Sequence, residues 1–334
     1  MAAVNRHEVR MRLRGIAALI GLVLFLSAPA PGETQGGKPL PRIGVLSPFI
    51  GPDNAFFETL RQRLQQLGYV EGRNVSFVYR AAEDFDQLQR IAAEMVSLHV
   101  AVIVTAGPQG VRAARNATLS VPIVMGNVGD AVDQGLVSSL AKPGGNITGL
   151  SSLNTELSAK RLEILKQAFP TISRVALLRE AVGDATPLEA VQRRARSLGI
   201  TLHVFQIREA DELPSAFVAM TDARVGAVEI LPGSIFVSQL RRLVELSATA
   251  RLPTIFADDR FVRAGGLMSY GPDVLELYGR AAEYVDRILR GARPADLPVE
   301  QPTNFTLAIH LGTAARLGVT IPQELLLRAE VLVR

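Results

Sequence analysis

The chain has 334 residues, 48% of them hydrophobic and 20% charged, and its formal net charge is +4. This length predicts two domains of the usual ~100–200 residues rather than one, and the composition excludes a disordered chain. The chain contains no cysteine, which excludes disulfides and thiolate metal sites, and we expect no lipid-modified N-terminal cysteine.

Residues 1–30 have the order of segments that is typical of a secretory signal peptide. Met1–Arg14 is rich in arginine, the apolar run Gly15–Leu26 follows, and 28–30 offers a small-x-small cleavage site. The alternative is an uncleaved membrane anchor, although the apolar run is shorter than the ~20 residues that a span needs. Without this segment the formal charge falls to about +1, so we predict no nucleic-acid partner.

Strand and helix patterns alternate after a Gly/Pro spacer at 31–41 and predict a first α/β lobe. The predicted strands are 42–47, 74–80, 100–105 and 122–126, and the predicted helices are 54–68, 85–98 and 110–117. Because each strand is followed by a helix, we expect a parallel sheet with helices on both faces.

The same order then repeats and predicts a second lobe. Its predicted strands are 174–179, 200–207, 227–231 and 253–257, and its predicted helices are 160–169, 188–198, 212–221 and 238–250. Any two α/β domains would share this pattern, so it does not by itself establish an internal repeat. Further strands at 266–270 and 304–309, and helices at 274–291 and 313–317, could complete either lobe.

Two strand exits share a layout that predicts a cleft. In 115–127 and in 248–259, a polar helix end is followed by an apolar residue, a proline, a short apolar strand and a polar loop. Loops at the carboxyl ends of parallel strands bind small molecules in most α/β folds. Two lobes that face each other with such loops form the usual place for a ligand.

The sequence lacks the common motifs of catalysis. It has no G-x-S-x-G elbow, no phosphate-binding P-loop and no H-E-x-x-H zinc motif, and its histidines are scattered. We therefore predict no catalytic residue, no metal and no cofactor. The loop Thr105–Gly110 has two interpretations. It is either a plain Gly/Pro turn or the start of a helix whose backbone N–H groups hold a carboxylate.

Carboxylates follow several predicted strands, at Asp130, Glu180 and Asp258. Opposed carboxylates are typical of an acid–base pair, and a single one can hold an ammonium group. Turn or helix-cap roles are the alternative. Ser151 and Ser152 lie where the chain would pass between the halves, so their hydroxyl groups are candidate ligand contacts.

Six segments between Arg42 and Arg334 carry a family resemblance. They are RIGVLS (42–47), LGYVEGRNVSFVYR (67–80), GLVSSLAKPGGNITGLS (135–151), AGGLMSYGPD (264–273), AAEYVDRILRGARPADLPVEQPTNF (281–305) and AARLGVTIP (314–322). Together they resemble the bacterial ABC-transporter substrate-binding protein family that includes tryptophan- and tyrosine-binding members. The resemblance implies a type I periplasmic-binding fold, in which two doubly wound parallel-sheet lobes are joined by three hinge crossovers.

The resemblance also implies how the chain is divided between the lobes. Lobe 1 is expected at 42–150 plus 266–298, lobe 2 at 153–264 plus 301–334, and hinges near 150–153, 264–265 and 298–301. The family pattern differs from this chain at several cleft loops. Asp130-Ala131 stands where Asp-Pro is usual, and Glu180-Ala181 where Asn-Pro is common, so the ligand does not follow from the resemblance.

The implied function is a periplasmic receptor, without a lipid anchor and monomeric, that gives a small ligand to an ABC permease in the inner membrane. The expected ligand-binding residues are Ser47, Gly107, Gln109 and Asp130 on lobe 1, Ser151 and Ser152 at the hinge, and Glu180, Pro232 and Asp258 on lobe 2. For an amino-acid ligand, N–H groups near Gly107 would take the carboxylate and Asp130 the ammonium. The alternatives are a receptor that signals to a membrane partner, and a periplasmic enzyme that uses these carboxylates as acid and base.

Overall fold

The structure, a computed structural model, describes residues 39–48, 55–82, 84–181 and 187–334. The predicted signal peptide at 1–30, and most of the predicted spacer at 31–41, lie outside the described residues. Leu40–Arg334 forms one compact unit, and two β-sheets divide this unit into two lobes. Among the helices of the described ranges, none combines the length and apolar character that a membrane span requires.

The sheet of the first lobe is entirely parallel, as the alternating pattern predicts. Its strands are β1 (Arg42–Pro48), β2 (Ser76–Ala82), β3 (Val102–Thr105), β4 (Ile123–Gly129) and β5 (Ile147–Ser152). Their order across the sheet is β2-β1-β3-β4-β5. The helices between the first four strands are α1 (Ala55–Gln66), α2 (Phe85–Ser97) and α3 (Gly107–Ala117).

Helix α2 illustrates how the sequence sets these elements. Asp84 precedes the helix with an extended backbone, and its carboxylate accepts a hydrogen bond of 2.6 Å from the N–H of Gln87. Such an N-cap satisfies a donor that would otherwise lack a partner. Leu88, Ile91 and Met95 recur at helical spacing and are buried, so this face packs against the first sheet.

The second sheet is mixed. Its strands are β6 (Arg174–Glu180), β7 (Thr201–Ile207), β8 (Ala227–Ile230), β9 (Thr254–Phe256), β10 (Met268–Gly271), β11 (Thr306–His310) and β12 (Val331–Val333). Their order is β12-β11-β10-β9-β8-β6-β7. The pairing of β10 with β11 is antiparallel, and the other pairings between the strands of this sheet are parallel.

The remaining α-helices lie between successive strands, with two consecutive helices after β8 and after β11. They are α4 (Asn154–Ala168), α5 (Leu188–Ser197), α6 (Leu213–Asp222), α7 (Ser234–Ser238), α8 (Leu240–Thr249), α9 (Asp259–Arg263), α10 (Val274–Leu289), α11 (Leu311–Leu317) and α12 (Gln323–Arg328). Buried apolar clusters cover both faces of each sheet. The architecture is therefore the predicted one of two doubly wound α/β lobes.

Helix α10 packs on the first lobe, as the family resemblance implies. Its buried face includes Tyr278, whose ring centroid lies 4.1 Å from that of Phe56 on α1. Gly126 of β4 makes room for these rings, because a Cβ atom at that position would lie 3.0 Å from Phe56 and 3.2 Å from Tyr278. The helix thus closes one face of the first sheet.

The strand that precedes α10 lies in a different lobe from the one predicted. The family resemblance implied that the strand at 266–270 belongs to lobe 1, but β10 lies in the second sheet, where Met268 pairs with Ile255 and Ile309. The short helix α9 turns the chain back before β10, so the chain changes lobe after this strand and not before it. The predicted hinge at 264–265 is therefore wrong, since Gly265 accepts a hydrogen bond of 2.7 Å from Thr313 within the second lobe.

Within the described residues, three connections join the lobes. The first is Leu153, between β5 and α4, and the second is Pro272-Asp273, between β10 and α10. The third follows Glu300, which lies beside β5 through hydrogen bonds of 2.9 Å with Gly149 and Ser151. The chain passes from there to β11 in the second sheet.

Candidate functional site

A cavity of ≈ 140 Å³ lies between the lobes, at the carboxyl ends of strands from both sheets. Loops after β1, β3 and β4 form one wall, and loops after β6, β8 and β9 form the other. A buried water requires about 10–15 Å³ on this measure, so the cavity has room for a solute of about ten or more heavy atoms. This position is the one predicted from the two strand exits.

Most of the predicted ligand-binding residues line this cavity. The structure brings together Gly107, Gln109, Ser152, Glu180, Pro232 and Asp258 on its walls. They come from separate strand ends of the two lobes, which is why their sequence positions are far apart. Their contact with a ligand remains a prediction.

Ser47, Ser151 and Asp130 do not lie on the cavity wall. Ser47 is fully buried at the end of β1, and Ser151 accepts a hydrogen bond of 3.0 Å from the N–H of Ala131. Asp130 accepts hydrogen bonds from the N–H of Thr155 at 3.2 Å and from its hydroxyl at 2.9 Å. Its carboxylate therefore binds the first turn of α4, and the predicted ammonium contact is not supported by this position.

The loop that begins α3 brings the two lobes into contact. Gly107 has a φ of 67°, a conformation that glycine adopts without strain. Gln109 is buried, and its amide donates to the Glu180 carboxylate of the other lobe at 3.4 Å. Glu180 also accepts from the N–H of Ile235 at 2.6 Å. The carboxylate thus connects the first lobe to the start of α7.

Aromatic rings form an apolar part of the cavity wall. Phe236, Phe256 and Phe261 come from the second lobe, and Tyr278 comes from α10 on the first. Phe256 and Phe261 are stacked, with ring centroids 4.6 Å apart and planes 9° apart. Burial raises the pKa of Tyr278 to about 12, against the opposing effect of Arg260. Its hydroxyl therefore stays protonated and neutral at physiological pH.

Asp258 and Arg260 form an ion pair at the cavity. Asp258 is the N-cap of α9, and Arg260 Nε lies 2.8 Å from one carboxylate oxygen and 3.0 Å from the other. Burial lowers the pKa of Arg260, but the hydrogen bonds and charge of Asp258 outweigh burial and raise it. The two charges compensate each other within the wall.

A second ion pair lies deeper in the second lobe and was missed from the sequence. Arg161 on α4 lines the cavity, and its Nε donates to Glu229 at 2.9 Å, while Nη1 donates to the carbonyl of Tyr270 at 3.2 Å. Both charged side chains are essentially fully buried. A signal was present, because Glu229 interrupts an otherwise apolar buried strand and Arg161 falls on the apolar face of its helix.

Gln134, also missed from the sequence, lies on the first-lobe wall after β4. Its amide nitrogen donates to the carbonyl of Gly129 at 2.6 Å. Among the residues that the structure describes, no group of three or more His, Asp or Glu side chains is placed to hold a metal ion. The wall thus combines aromatic rings with a few polar groups, as is usual for small-molecule sites.

The comparisons with known proteins agree with this geometry. The family model described as ABC transporter substrate binding protein matches residues 44–333. A protein of Clostridioides difficile named tyrosine-binding protein is 28% identical over 243 residues, which cover 71% of this chain and 68% of that protein.

Solved structures show the same fold. A conserved domain protein from Vibrio cholerae has a TM-score of 0.82 and 27% identity, and the match covers 87% of this chain and 99% of that one. An ABC domain from Streptococcus pneumoniae in complex with L-Trp has a TM-score of 0.82 and 24% identity, with coverage of 88% and 100%. Since the family match spans nearly all of the described fold, this chain belongs to the ABC transporter substrate-binding protein family.

Proposed function

We propose that this protein is a solute receptor that closes its two lobes around a small ligand and delivers the ligand to an ABC permease. The observation that carries this proposal is the cavity between the lobes, lined from both sheets. In such folds, hinge motion between lobes opens and closes the site. The hydrogen bond between Gln109 and Glu180 spans the cleft and would form only when the lobes are together.

The ligand that fits this wall is amphipathic. The aromatic rings of Phe236, Phe256, Phe261 and Tyr278 favour an apolar or aromatic part, and the polar groups around them favour a charged or hydrogen-bonding part. An amino acid, or another aromatic or carboxylate compound, has both parts. The names of two similar proteins, one tyrosine-binding and one in complex with L-Trp, support the amino-acid class.

The same proposal includes the route and the partners of the protein. Residues 1–30 would direct export and be cleaved, which places the mature receptor in the periplasm beside an inner-membrane permease. We propose that the receptor acts as a monomer, because one chain supplies both walls of the cavity.

A thermal-shift series tests the function. Purified protein is heated with each of the common L-amino acids, with aromatic carboxylates, with small amides and with sugars as a comparison class. A ligand at 100 times its Kd stabilises a protein by about 2.7 kcal/mol, which raises the midpoint of unfolding measurably. We expect one or a few related amino acids or aromatic carboxylates to stabilise the protein. Stabilisation by none of the compounds would contradict the proposal, and stabilisation by sugars alone would contradict the ligand class.

A further inference from the structure

Two polar atoms of the cavity wall are buried and have no hydrogen-bond partner among the described residues. They are Nη2 of Arg161 and Oε1 of Gln134. Both residues line the cavity, Arg161 from the second lobe and Gln134 from the first. Buried polar groups are nearly always hydrogen-bonded in native proteins, so this pair requires an explanation.

The hydrogen bond to Gly129 determines which side-chain amide atom of Gln134 has no partner. A backbone carbonyl only accepts, so the atom 2.6 Å from the carbonyl oxygen of Gly129 must be the amide nitrogen. Oε1 is then the atom left without a partner. Gln134 therefore offers a hydrogen-bond acceptor at the first-lobe wall.

Arg161 offers a hydrogen-bond donor at the second-lobe wall. Its Nε is bound by Glu229 and its Nη1 by the carbonyl of Tyr270, which holds the guanidinium in one orientation. A guanidinium group only donates, so Nη2 is a fixed donor. The side chain is 1% exposed, which leaves no bulk water to bind Nη2.

We infer that Arg161 and Gln134 are the polar anchors of the ligand: Arg161 Nη2 donates to a carboxylate oxygen, and Gln134 Oε1 accepts from an ammonium or N–H group of the same molecule. An α-amino acid carries both groups on one carbon atom, Cα. This inference rests on the proposed function, because it concerns the same cavity. It also replaces Asp130, whose carboxylate binds Thr155, as the acceptor for the ammonium group.

The position of the anchors on opposite lobes has a consequence for closure. A ligand that contacts both residues connects the lobes through itself and adds to the bond between Gln109 and Glu180. A molecule that lacks either polar group contacts only one lobe with a polar anchor. Its affinity for the closed state, and so its power to favour closure, is lower.

Isothermal titration calorimetry with matched ligands tests the inference. The probes are L-phenylalanine, L-tyrosine and L-tryptophan, each beside its decarboxylated amine and its deaminated propionate. Removing either group from a bound amino acid is expected to weaken binding to the wild type about ten- to hundredfold. In Arg161→Lys, the amino acid and the propionate weaken but the amine does not. In Gln134→Leu, the amino acid and the amine weaken but the propionate does not.

Arg260→Lys is the matched control, because Arg260 also lines the cavity but both oxygens of Asp258 bind its guanidinium. It should produce no loss that is selective for the carboxylate. Equal losses for all probes in Arg161→Lys, or a carboxylate effect that is unchanged there, would overturn the assignment of Arg161. Gln134→Leu gives an independent result if Arg161→Lys does not fold. Failure of every amino acid while other solutes bind would overturn this inference and leave the proposed function intact.

Discussion

At the scale of single residues, the position of a polar side chain in the sequence does not determine which way its polar atoms face. Asp130 and Asp258 both follow strands, as predicted, but Asp130 binds Thr155 and Asp258 binds Arg260. Both partners depend on how a helix packs after the strand. Arg161 and Gln134 could not be assigned from the sequence, because their role depends on which of their atoms lack a partner after folding.

The buried carboxyl of Asp130 is expected to make the stability of the protein depend on pH. Burial raises the pKa of its carboxyl, although the hydrogen bonds from Thr155 act the other way. The folded protein thus binds this proton more tightly than the unfolded chain. The resulting stabilisation is complete below the unfolded-state pKa and is lost as the pH rises through the folded-state pKa.

Asp130→Asn removes this dependence, and asparagine tolerates the φ of 45° at this position. We expect the free energy of unfolding in urea to increase for the variant relative to the wild type as the pH rises from mildly acidic to neutral. Asp222→Asn, at an exposed position on the second lobe, is the control. A difference between Asp130→Asn and the wild type that is the same at every pH would show that the Asp130 charge carries no such cost.

At the scale of elements, the sequence predicted the long helices and most of the buried strands well, because their apolar patterns arise from burial against one sheet. The buried strand β5 was not among the predicted strands. The short elements were not predicted: α7, α9, α12 and β12 are too short to show a period. Helix α4 begins at Asn154, earlier than the predicted 160, because Asp130 binds its first turn from a distant part of the chain. A contact between distant segments produces no pattern in the local sequence.

Two helical glycines distinguish close packing from helix propensity. A Cβ atom at Gly110 of α3 would overlap Oγ1 of Thr105, the last residue of β3, whereas at Gly279 of α10 the nearest atom would be 3.8 Å away. Gly110→Ala should destabilise the protein by about 1–3 kcal/mol through overpacking. Gly279→Ala should stabilise it by about 0.5–1 kcal/mol, because alanine favours the helix.

Urea denaturation of both variants measures these changes. The opposite signs are the essential result, since the two substitutions are chemically identical. If Gly110→Ala were as stable as Gly279→Ala, the close approach of α3 to Thr105 would not exist in solution.

At the scale of the whole molecule, the family resemblance and the predicted two-lobe α/β fold are confirmed by the family match and by the sheets. The placement of β10 was wrong, because strand pairing between distant segments has no signature in the strand itself. The cavity follows from the arrangement of the lobes, since it needs strand ends from both sheets. Its ligand depends on individual side chains and therefore cannot be deduced from the fold.

The central claim, that a solute binds between the lobes, is tested most directly by blocking the cavity. Ser234 lines it at the start of α7, across from Gly107 of the other lobe, whereas Ser238 at the end of the same helix is exposed and outside the wall. Isothermal titration is carried out on Ser234→Trp and Ser238→Trp with the solute that stabilises the wild type most. The account predicts that Ser234→Trp loses binding and that Ser238→Trp keeps wild-type affinity. Undiminished binding by a folded Ser234→Trp protein would contradict it.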